Sequence, residues 1–182
     1  MEIIVYGSQY GTTQRYAEEL SRQTGIPAIR SGEKADLSPY QTVIHMGGLY
    51  AGSVKGLKTT VKTISEQAEL IVVTVGLVDG SNAEGVENIR RSVRKQLPKA
   101  FCDKAPVFHL RGGMDYRKLS LGHKAMMQVA YRRAKALPEE KQTPEIQAVL
   151  ATHHQAVDFV DFGALHPILA YLDGNTEKVP KK

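Results

Sequence analysis

The chain has 182 residues, 42% hydrophobic and 24% charged, which fits one globular domain with a sizeable core. Its single cysteine, Cys102, excludes an internal disulfide framework and a cysteine-rich metal site; no apolar run approaches the roughly 20 residues of a membrane-spanning helix, and Met1-Glu2-Ile3-Ile4 lacks the basic flank of a signal peptide. The net charge of +5 leaves two readings open, a basic surface without a role or a surface for anionic partners.

Glu2 to Tyr6 is a first strand, rich in β-branched and aromatic residues. A helix begins near Thr12 or Thr13, with Tyr16, Ala17 and Leu20 on one face, and stops at Gly25. Pro27 to Arg30 is a short second strand, and Thr42 to Met46 a third, ending at Gly47-Gly48. Leu57, Val61 and Ile64 fall at helical spacing. Leu70 to Val75 is a continuous apolar run, the pattern of a strand buried on both faces. Val86, Ile89, Val93 and Leu97 mark a helix that Pro98 ends, and Pro106 to Leu110 is a fifth strand. Leu119 to Lys135 reads as a helix with Met126, Val129, Ala130 and Arg133 near one face. A polar loop with prolines follows, then a short helix over Glu145 to Leu150. The last helix carries Leu165, Ile168, Leu169 and Leu172; Pro167 must lie in its first turn, so it starts later than Asp161 suggests. Residues 1–174 form the expected domain and 175–182 a disordered tail.

Strands alternating with helices predict an α/β fold: a doubly wound sheet of five parallel strands with helices on both faces. An extra helical segment precedes the last helix. Gly7, Gly47, Gly76 and Gly112 close successive strands. Each alone is an ordinary turn glycine. Together they mark one crevice at the carboxyl ends of the strands, where open α/β sheets hold ligands.

The sharpest local signal joins the first strand to the first helix: Ser8-Gln9-Tyr10-Gly11-Thr12-Thr13. A phosphate needs converging donors and little steric obstruction. A helix N-terminus supplies free amides, the hydroxyls add donors, and Gly11 lets the backbone come close. The competing reading is a serine- and threonine-rich helix cap. The triphosphate loop G-x-x-x-x-G-K-[ST] is absent, with Thr12 where its lysine would stand, and so is the dinucleotide pattern G-x-G-x-x-G.

This segment resembles the S/T-x-x-G-x-T phosphate loop of flavodoxins. The resemblance continues at Gly47-Gly48-Leu49-Tyr50-Ala51-Gly52, the position of the loop that packs on the flavin ring, and at Gly76-Leu77-Val78-Asp79, where the family contacts the pyrimidine edge. It implies a flavodoxin-like fold holding flavin mononucleotide (FMN). The implied cofactor residues are Ser8, Gln9, Tyr10, Gly11, Thr12 and Thr13 for the phosphate, Leu49, Tyr50, Ala51 and Gly52 on one side of the ring, and Leu77, Val78 and Asp79 on the other, with Gly112 and Gly113 closing the fifth strand. The segment His109 to Leu119, the extra helix after it and Val160-Asp161-Phe162 look similar to the branch that includes the quinone-dependent protoporphyrinogen oxidases. That implies an FMN-dependent oxidoreductase passing electrons from a small-molecule substrate to a quinone or similar acceptor; the alternative is an electron-carrier flavodoxin serving a protein partner. No catalytic side chain is identified.

Arg90, Arg91, Arg94 and Lys95 share one helix, and a second basic group runs from Arg111 to Lys135. These are either solvated faces or a docking surface for an anionic substrate or an acidic membrane. Met114, Met126 and Met127 either fill core or line an adaptable apolar site. The histidines lack metal-ligand spacing, so no metal is expected. No nucleic-acid-binding module is recognisable. The expected location is cytoplasmic, with peripheral membrane contact through the basic helix.

Overall fold

The computed structural model describes residues 1–33 and 36–174; the tail expected from Asn175 lies outside the described residues. The strands are β1 (Glu2–Gly7), β2 (Ala28–Arg30), β3 (Thr42–Tyr50), β4 (Ser53–Val54), β5 (Glu69–Gly76), β6 (Val107–Arg111), β7 (Gly113–Asp115) and β8 (Ala156–Asp158). The helices are α1 (Thr12–Thr24), α2 (Leu57–Thr63), α3 (Ala83–Arg94), α4 (Lys99–Cys102), α5 (Leu121–Lys135), α6 (Pro144–Thr152) and α7 (His166–Leu172).

Five strands form a parallel sheet in the order β2-β1-β3-β5-β6. Alternate residues of each central strand feed two cores. Ile3, Val5, Val43, Leu70 and Val72 meet Leu57 of α2 and Ile89 and Val93 of α3. Ile4, Ile44, Met46, Ile71 and Val73 meet Tyr16, Ala17 and Leu20 of α1 and Ile168 of α7. Each fully buried aliphatic side chain contributes about 1.5–3 kcal/mol, so both faces must be covered. Helix α7 begins at His166, with Pro167 in its first turn, where a missing amide costs nothing.

Four features differ from the sequence reading. Strand β3 does not stop at Met46; it runs through both glycines to Tyr50 and turns back into β4. Gly47 and Gly48 sit inside it because this hairpin folds onto them: a Cβ on Gly47 would lie 2.3 Å from Val54 Cγ1, and one on Gly48 2.8 Å from the Tyr50 ring. Helix α3 ends at Arg94, and buried Leu97 lies beyond it, followed by the one-turn α4. An antiparallel ribbon pairs β7, just after β6, with β8, just before the last helix region, and so brackets the extra segment that holds α5 and α6. Finally, α5 has no buried apolar stripe: Ala134 is its one buried residue, and Val129 is 50% exposed.

Candidate functional site

The carboxyl ends of β1, β3, β5 and β6 open into a cavity of about 440 Å³, within the range of small-ligand sites. Its first wall is the β1–α1 loop. Gly11 is the N-cap of α1, at φ 91°, and no side chain caps the helix. The helix-cap reading of the loop therefore fails. Ser8, 3% exposed, accepts the Gly11 amide at 3.1 Å and so shapes the loop rather than the helix end. The amides of Thr12 and Thr13, the first two helical residues, have no intrahelical acceptor, and no loop acceptor takes them among the described residues. No acidic residue occupies the first turn. The dipole and these amides leave this end of α1 suited to an anion.

Ser8, Tyr10, Thr12 and Thr13 line the cavity. Gln9 and Gly11 do not: the Gln9 side chain turns away to accept the Lys55 ammonium at 2.6 Å, and Gly11 serves the turn. Leu49, Tyr50, Ala51 and Gly52 line the cavity from the β3–β4 hairpin, with Ala51 and Gly52 at φ 49° and 78°. Burial raises the Tyr50 phenol above its ordinary range. Opposite lie Leu77 and Val78, at the end of β5, with Gly112 and Gly113 beside them. A Cβ on Gly112 would come 2.8 Å from Val75 and 3.2 Å from Thr12, so this glycine allows close packing of strand ends next to the loop. Asp79 is outside the cavity. Its carboxylate accepts from the hydroxyl and amide of Ser81, which lower its pKa, and pairs with Arg111 at 2.6 Å, whose charge adds to that lowering.

The 77–79 segment is held from behind by His109. Its Nε2 lies 3.0 Å from the Val78 carbonyl and its Nδ1 2.9 Å from Thr74 Oγ1; burial lowers its pKa, which keeps the ring neutral. His45 does the same under the hairpin. Nε2 donates to the Lys55 carbonyl at 3.0 Å, which leaves Nδ1 to accept from Thr60 at 2.9 Å.

The third wall was not read from the sequence as part of the cofactor site. The extra segment covers the cavity with Leu119, His123, Met126 and Met127 from the α5 region and Glu145, Ala148 and Val149 from α6. Met114 lines it as well, so all three methionines of this stretch face the cavity rather than the core. Asn88, Ile89 and Ser92 of α3 complete that side. The Tyr10 hydroxyl hydrogen-bonds His123 Nδ1 and receives the Ser120 amide at 3.4 Å, tying α5 to the β1–α1 loop. The His123 ring lies parallel to Tyr50 within 14°, centroids 6.1 Å apart. Among the described residues no arginine or lysine lines the cavity, and Glu145 is its one carboxylate. The basic clusters therefore lie outside it; Arg111 instead stacks on Phe159 at 3.8 Å.

No curated protein matches the chain. Among solved structures, a flavoprotein in complex with FMN from Lactobacillus acidophilus NCFM is similar at 13% identity and a TM-score of 0.39, covering 60% of this chain and 91% of that one. The family model described as a flavodoxin domain matches residues 3–141, which span every strand of the parallel sheet and the whole β1–α1 loop. The chain belongs to the flavodoxin domain family.

Proposed function

We propose that the protein binds one FMN and acts in electron transfer. The observation that carries this reading is the continuity of one cavity from an uncapped helix N-terminus to an apolar slot between Tyr50 and Leu77-Val78. The donors fit a phosphate monoester: the free amides of Thr12 and Thr13 and the hydroxyls of Ser8, Thr12 and Thr13 surround one end. The other end is walled by Leu49, Tyr50, Leu77 and Val78, a surface that fits a flat heteroaromatic ring. Bound there, FMN supplies hydride or single-electron transfer. The chain's own residues hold its phosphate, orient its ring and exclude water from it.

The family match supports electron transfer in general, as in a carrier flavodoxin serving a protein partner. One observation favours the finer reading of an oxidoreductase acting on a small substrate with a quinone or similar acceptor. Helices α5 and α6 cover the cavity with Met126, Met127, Ala148 and Val149, where a carrier needs its ring edge open to a protein. The purified protein should be yellow and release stoichiometric FMN on denaturation. Apoprotein should bind FMN far more tightly than riboflavin, and Thr12→Glu should abolish that preference. A protein that stays colourless with added FMN refutes the reading. Reduction of a soluble quinone, compared with delivery of electrons to a haem protein at low and high salt, separates oxidoreductase from carrier.

A further inference from the structure

A polar cleft of about 500 Å³ lies on the other side of the phosphate loop, between the start of that loop, the end of β2 and the β4–α2 connection. Gln9, Arg30, Ser31, Lys55 and Thr59 supply its polar side chains, and Ser8 is the one residue it shares with the large cavity. Two cations converge on it. Arg30 Nη2 donates to the Ser8 carbonyl at 3.2 Å, and Lys55 Nζ donates to Gln9 Oε1 at 2.6 Å. Both acceptors are neutral, and neither cation forms an ion pair among the described residues. Each has donors to spare: the guanidinium carries five N–H groups and the ammonium three.

The cleft is built rather than incidental. The Ser31 amide donates to the Tyr6 carbonyl at 2.8 Å, and its hydroxyl to the Gly56 carbonyl at 3.4 Å. Gly56 stands at φ 83°, and a Cβ there would lie 2.4 Å from Ser31 Oγ. The Lys55 carbonyl is fixed from below by buried His45. A cation pair on a concave, preformed surface with hydroxyls at its rim is the chemistry of phosphate recognition.

We propose that this cleft is a second anion site, taking the phosphate of a phosphomonoester ligand, with Arg30 and Lys55 as its charged donors. Its anion is distinct from the phosphate of FMN, because the two cavities meet only at Ser8. Occupying one leaves the other accessible.

The test is calorimetric titration of inorganic phosphate, and separately of 5′-AMP, into the FMN-loaded protein at low salt. Saturable binding is expected, tighter for 5′-AMP if the ligand is a phosphorylated molecule and equal if it is the free ion. The double variant Arg30→Gln/Lys55→Gln should bind phosphate roughly tenfold or more weakly, the loss expected from charge-assisted hydrogen bonds, with a clearly smaller loss of FMN affinity, because these side chains touch the shared loop only through the Ser8 carbonyl and Gln9. Arg132→Gln on α5 should change nothing. Phosphate that competes with FMN, binding indifferent to the double variant, or no saturable binding each overturns the proposal. If the protein takes no FMN, the flavin reading fails by itself, and titration of the apoprotein and its double variant still decides this one.

Discussion

Lowering the pH from 7 to 5 should cost the fold about 2 kcal/mol through His45 alone. The ring is fully buried, and desolvation lowers its pKa from 6.5 to about 4; its hydrogen bond to the Lys55 carbonyl opposes that shift without cancelling it. The unfolded chain takes up a proton at the ordinary histidine value, whereas the folded chain resists until near pH 4. Between those values the unfolded state binds more protons. The stability that neutral His45 contributes is therefore complete above the unfolded pKa and drains away as the pH falls through the window. Integrating the linkage over it gives about 2 kcal/mol by pH 5 and about 3 kcal/mol below pH 4. Urea unfolding of the wild type and of His45→Gln at both pH values isolates this contribution from that of other groups. The variant is less stable at pH 7 but should lose about 2 kcal/mol less than the wild type on acidification. An equal loss in both proteins refutes the reasoning. If the variant does not fold, the imidazole C–H resonances of the wild type decide directly: a His45 midpoint near 6.5 refutes it too.

Two substitutions test the packing that frames the site. In Gly7→Ala the new Cβ would meet the Lys55 carbonyl oxygen at 2.1 Å, and backbone has no rotamer with which to yield; the expected cost is about 1–3 kcal/mol, several degrees of melting temperature, and an unchanged melting curve would refute the close approach. Tyr16→Phe removes a buried hydroxyl that donates to the Arg111 carbonyl at 2.8 Å and receives the Asp161 amide at 3.0 Å; two unpaired backbone groups should cost roughly 1–3 kcal/mol and speed hydrogen exchange at the Asp161 amide, whereas exchange unaltered there would deny the bridge.

Where a residue's role is set by its immediate neighbours in the chain, the sequence is a good guide. The run Leu70 to Val75 announces β5 because both faces of that strand are buried. The loop from Ser8 to Thr13 can be recognised from its hydroxyls and Gly11, yet only the backbone distinguishes a cap from an open helix end. Of the four glycines read as strand ends, Gly76 and Gly112 line the cavity, Gly7 lines only the cleft beside it and Gly47 sits inside β3 and lines neither; what all four share is close packing rather than a turn. Gly7, Gly47, Gly76 and Gly112 are all absent from the positive-φ region, and a Cβ on any of them would crowd a neighbour within 3.1 Å. Contacts between distant residues leave no such trace. Asp79 looks like a pocket residue until Arg111, far along the chain, draws it outward. Strands β7 and β8 are three residues each, too short for alternation to show, and they pair across some forty positions.

The misread face of α5 follows from what that helix packs against. A helix on the sheet needs one apolar stripe, which Tyr16, Ala17 and Leu20 provide on α1. Helix α5 meets instead the cavity, α6 and solvent, so its apolar residues are divided: Met126 and Met127 line the cavity, Ala134 is buried, and Leu121 is left 85% exposed. Polar and aromatic tethers replace a core: the Tyr10–His123 hydrogen bond, the Lys124 carbonyl 3.4 Å from the Tyr116 hydroxyl, and Tyr131 stacked on His153 at 3.7 Å. An element held this way separates from the sheet at lower cost than one sealed by buried aliphatic area. The β1–α1 end of the cavity thus rests on a helix whose Tyr16, Ala17 and Leu20 are fully buried, and the far end is roofed by α5, which buries Ala134 alone.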